Sequence, residues 1–163
     1  MAGGYDRQMR PLAALLALAA LLVAPAAAAA DDQSVWDAYA HAHRTELRDA
    51  VRAYTKATSR PRGVGAAIRA GRRISRTLTA IATDVRGEQS SSSDGEQAKA
   101  LLLDSLAAWR RAMTLDRRSL RAFHRGHLGR GSAAGLRSSR ALARADRLEA
   151  RAVDVLRAAG VEL

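Results

Sequence analysis

The chain has 163 residues, a formal net charge of +11 and no cysteine. The missing cysteines exclude a disulfide framework, a thiolate metal site and covalent haem. The charge favours anionic partners.

Residues 1–30 have the layout of a secretory signal peptide. Arg7 and Arg10 precede an apolar run from Leu12 to Val23, Pro25 breaks it, and Ala26–Ala30 offer small residues for cleavage. A run this short falls below the roughly 20 residues a membrane span needs. The expectation is a mature protein starting near Asp31, secreted or held in the periplasm or cell envelope, and membrane-anchored if uncleaved. Cleavage leaves one domain, residues 31–163, with a charge of +10.

That domain is rich in Ala, Leu and Arg, all good helix formers. Three interruptions, at 59–63, 87–95 and 126–135, divide it into four helical runs. The first, about 33–58, carries Trp36, Ala40, His43, Leu47, Ala50, Tyr54 and Ala57 at 3-4 spacing. The second, about 64–86, has the cleanest stripe: Val64, Ala67, Gly71, Ile74, Leu78, Ile81 and Val85. The third, about 96–124, reads Leu102, Leu106, Trp109, Met113, Asp116, Leu120 and Phe123, with Asp94 or Gly95 before its start. The fourth, about 136–159, reads Ala141, Ala145, Leu148, Ala152, Val155 and Ala159, ended by Gly160. Short connections favour antiparallel neighbours, so the expected fold is all-α: an up-down-up-down antiparallel four-helix bundle after an N-terminal signal peptide. Trp36, Tyr39, Tyr54, Trp109 and Phe123 are expected to fill its core.

In that topology the charges separate. Residues 48–76 and 110–144 share one end and total +17, against −7 for the rest of the domain. The arginines expected to meet an anion are Arg60, Arg62, Arg69, Arg72, Arg73, Arg117, Arg118, Arg121, Arg125 and Arg130. The guanidinium fork suits phosphate and carboxylate. Gly126, Gly129, Gly131 and Gly135 are read as a loop whose backbone approaches the ligand. The Ser90–Ser93 run is read as a flexible linker.

Little points to catalysis. His41 and His43 point apart on a helix, and His124 and His127 lie far from them. No Glu-x-x-His pair, phosphate loop or nucleophile elbow occurs. No metal, cofactor or small-molecule substrate is expected. His43 reads as a hydrogen-bonded core histidine, and Asp116 as an ion pair with Arg52 or Arg144. The sequence therefore points to an exported non-catalytic bundle whose basic end binds a polyanion: a wall polymer, anionic lipid headgroups or nucleic acid. The alternatives are a structural or protein-interaction module of the cell envelope, and a small-ligand bundle built around His43, Trp36 and Tyr39.

Overall fold

The computed structural model describes residues 31–60 and 62–163, and the expected signal peptide lies outside the described residues. Those residues are helical, with no strand among them. A leading segment is helical over 31–40 and a turn occupies 41–43. Four helices follow: α1 (Arg44–Thr58), α2 (Val64–Gly87), α3 (Ser93–His124) and α4 (Leu128–Ala158).

The first expected helix is thus broken in two. The Ala42 N–H reaches back five residues to the Asp37 carbonyl at 3.2 Å, which overtightens nothing but ends the regular ladder. The His43 ring then fixes the turn, with Nδ1 3.2 Å from Glu46 Oε2 and Nε2 2.9 Å from Asp84 Oδ2. His43 is hydrogen-bonded as expected, but to two carboxylates at the half-exposed surface instead of inside the core.

The serine run is ordered, which corrects the linker reading. Ser92 caps α3, accepting from the Gly95 N–H at 2.8 Å. Asp94 and Glu96 in the first turn complement the positive helix end. Ser90 and Ser92 both donate to the carboxylate of Asp32, which is 1% exposed. These bonds satisfy a buried carboxyl group and tie the leading segment to the start of α3. A Cβ on Gly95 would overlap the Asp32 carboxylate and the Ser90 hydroxyl, so only glycine fits there.

The α2 stripe is buried as its spacing requires. Ala67, Gly71, Ile74, Leu78, Ile81 and Val85 face the core, with Val64 half-buried at the end. Leu102, Leu106 and Met113 of α3 and Leu156 of α4 join them. Burying each such large side chain is worth about 1.5–3 kcal/mol.

α3 also has a second buried face, of small residues seven apart: Ala98, Ser105, Ala112 and Ser119. α4 answers with Gly131, Ser138, Ala145 and Ala152, again seven apart. Ser105 Oγ donates to the Ala145 carbonyl at 3.1 Å, Ser138 Oγ to Ala112 at 2.9 Å and Ser119 Oγ to Gly131 at 2.8 Å. Rising numbers on one helix meet falling numbers on the other. Hydroxyl-to-carbonyl bonds across the seam require close backbones, which only Gly, Ala and Ser allow.

This seam explains a second correction. The expected glycine-rich loop shrinks to a turn at 125–127, and Gly129, Gly131 and Gly135 lie inside α4. A Cβ on Gly131 would come 2.8 Å from the Phe123 ring, so this glycine admits α3 and no ligand. Phe123 lies over it and stays 44% exposed, outside the core where it was expected. Gly126, at φ +77°, makes the turn. Gly160, at φ +83°, ends α4 as expected, with the Val161 N–H closing on the Leu156 carbonyl at 3.0 Å.

Candidate anion-binding surface

The most constrained arginine is Arg117, on α3. Gly71 of α2 has no side chain, so the Arg117 methylenes lie against its backbone. The guanidinium then donates from Nη1 to the Gly71 carbonyl at 3.0 Å and to Ser75 Oγ at 2.7 Å. Nη2 donates to Thr114 Oγ1 at 3.2 Å. Burial, then repulsion from Arg121 and Arg72, press its pKa below the usual arginine value, and Asp116 pulls it back. The positive charges of Arg72 and Arg121 both act on Arg117.

Around this anchor three adjoining grooves run over α2, α3 and α4. One of about 510 Å³ lies between α2 and α3, lined by Arg69, Arg72, Ser75, Arg76 and Arg117. The next, about 720 Å³, shares Ser75, Arg76 and Arg117 with it and adds Arg110, Arg111, Arg118 and Arg137. The third, about 360 Å³, shares Arg111 and Arg137, continues to Arg140 and Arg144, and holds the one lining carboxylate, Asp104. Helical spacing produces the row: 69, 72 and 76 on α2, and 137, 140 and 144 on α4, each fall on one face. Among the described residues, none of these arginines has a carboxylate within 4.0 Å, and Arg157–Asp154 is the only ion pair formed by an arginine.

No family model, curated protein or solved structure matches this chain. Its chemistry is read from its own residues.

Of the ten arginines singled out in the sequence, Arg69, Arg72, Arg117 and Arg118 line the grooves. Arg121 acts electrostatically on Arg117. Arg73 is exposed elsewhere on α2. Arg60 and Arg62 are exposed between α1 and α2, and Arg125 and Arg130 beside the α3–α4 turn; none of these four lines a groove. The sequence reading missed Arg76, Arg110, Arg111, Arg137, Arg140 and Arg144. Their 3-4 helical spacing is the available signal, but which helix faces adjoin depends on the register between helices, which no local pattern carries.

Asp116 forms no ion pair with Arg52 or Arg144, contrary to expectation. Its Oδ2 is buried without a hydrogen-bond partner. Burial raises the Asp116 pKa, and neighbouring Arg117 only partly offsets this. No group of three or more His, Asp or Glu side chains stands together as a metal site among the described residues. No helix there is long and apolar enough to cross a membrane.

The remaining trio separates. Trp36 and Tyr39 line a cavity, and His43 does not. The Tyr39 phenol is pushed well above its ordinary pKa, by burial first and then by the Glu149 charge. Burial likewise raises the Glu149 carboxyl, against the hydrogen bond from Tyr39.

Proposed function

We propose that this chain is an exported, non-catalytic protein whose helices form an up-down-up-down antiparallel bundle, and that it binds a polyanion along the arginine-lined grooves. Three registers support the topology. His43 meets Asp84, Arg117 meets Gly71, and Ser105 meets Ala145, so each helix runs opposite to the next. In that arrangement the basic halves of all four helices gather at one end, where the grooves lie.

The observation that carries the reading is ten groove arginines facing one carboxylate, Asp104, with none of the ten in an ion pair among the described residues. Unpaired guanidinium groups at this density repel one another, and an anionic chain laid along the row removes that repulsion. A wall polymer bearing phosphates, a surface of anionic headgroups and nucleic acid all present charges in series. Fluorescence anisotropy with labelled heparin and duplex DNA across 50–300 mM salt tests the reading. Each neutralised phosphate contributes about −0.9 to the slope of log K against log salt on duplex DNA. A slope steeper than about −4 supports groove binding, and a flat profile overturns it.

A further inference from the structure

On the side of the bundle between α1 and α4 lies a separate cleft of about 560 Å³. Its origin is in the packing. α1 rests chiefly on α2, and α4 chiefly on α3. α4 commits its small-residue face to α3, and only its Glu149 reaches the cleft. The floor is apolar, formed by residues such as Leu78 and Leu106, and the volume falls in the range of small-molecule sites.

Two features describe an occupant. The first is hydrocarbon: Trp36, Tyr39, Tyr54 and Trp109, four of the five aromatic residues expected to fill the core, line this space, and Val51 at its side is 43% exposed. The second is positive charge: Arg44, Arg48 and Arg52 recur every four residues on α1, line the cleft, and have no carboxylate within 4.0 Å among the described residues. The single acid lining the cleft is Glu149, half-buried. Arg44, Arg48 and Arg52 belong to α1, beyond the turn at 41–43, whereas Trp36 and Tyr39 belong to the leading segment before it. The two ends of the cleft thus differ in charge.

We propose that this cleft binds a single-chain amphipathic anion, a free fatty acid, with the hydrocarbon tail along the apolar floor and the carboxylate on Arg48 and Arg52. A guanidinium pair supplies bidentate recognition of a carboxylate, and removing the tail from water supplies the affinity.

The chain carries its own reporters, because its two tryptophans, Trp36 and Trp109, both line the cleft. A dibromostearate titrated into the full chain below its aggregation concentration should quench tryptophan emission saturably. The brominated alcohol of the same length should bind at least about tenfold more weakly, having lost the charge-assisted bonds. The double variant R48Q/R52Q, altered only at exposed positions, should lose about tenfold in affinity with its far-ultraviolet helix signal intact. R125Q/R130Q should leave the affinity unchanged. Absent or unsaturable quenching overturns the proposal. So does equal binding of the alcohol, equal binding by R48Q/R52Q, or quenching by brominated phosphatidylglycerol vesicles as strong as by the free acid.

Discussion

Replacing Ala145 by leucine tests the close α3–α4 seam. Ala145 is 0% exposed, and its carbonyl accepts the Ser105 hydroxyl at 3.1 Å. The larger side chain has nowhere to go without separating the helices. Overpacking a tight core costs about 1–3 kcal/mol. Separation also breaks the Ser105 bond, worth about 1 kcal/mol net. The expected loss is therefore about 2–4 kcal/mol, or roughly 10 °C in Tm for a domain of this size. Urea and thermal denaturation followed at 222 nm measure it. Ala143→Leu, at an exposed position on the same helix, is the control and should stay within about 0.5 kcal/mol. If Ala145→Leu also stays within about 0.5 kcal/mol, α4 does not pack on α3 through this row.

Further outcomes follow from the polar interior. Asp116 has a folded pKa above its unfolded value, so its contribution to stability is present below the unfolded pKa and lost as pH rises through the folded one. Asp116→Asn should thus gain about 1 kcal/mol at pH values above the folded pKa, where an unpartnered charge would be buried, and nothing near pH 3, as read by urea midpoints. Gly95→Ala should cost about 1–3 kcal/mol by forcing the Asp32 carboxylate aside. The cost should largely vanish in an Asp32→Ala background, which a double-mutant cycle reads directly. Leu78→Ala, at a position 3% exposed, should cost about 2–5 kcal/mol in the same denaturation assay.

The sequence showed some levels of this structure more clearly than others. The α2 stripe was legible because large apolar side chains at 3-4 spacing have one physical use. The α3–α4 seam was not, although Ala98, Ser105, Ala112 and Ser119 repeat every seven residues. Ala and Ser carry little hydrophobic signal, and their value lies in what they leave out: side-chain volume between two backbones. The same blindness turned Gly129, Gly131 and Gly135 into a loop, since glycine's helix cost is visible locally and the partner that offsets it is not. Asp32 and Ser92 lie 60 residues apart, so no local pattern links them. The site was half legible. Net charge announced an anion, and the register between helices selected which arginines line a common groove.

The central claim is that groove arginines carry anion binding and the loop arginines do not. The direct measurement compares R76Q/R111Q/R137Q with R60Q/R62Q/R130Q, equal in charge removed, for duplex DNA affinity and its salt slope. The account predicts that the groove variant loses at least about tenfold at low salt and flattens the slope by about 2–3, in proportion to three lost phosphate contacts, whereas the loop variant changes affinity by less than about threefold. Equal losses in the two variants would contradict it.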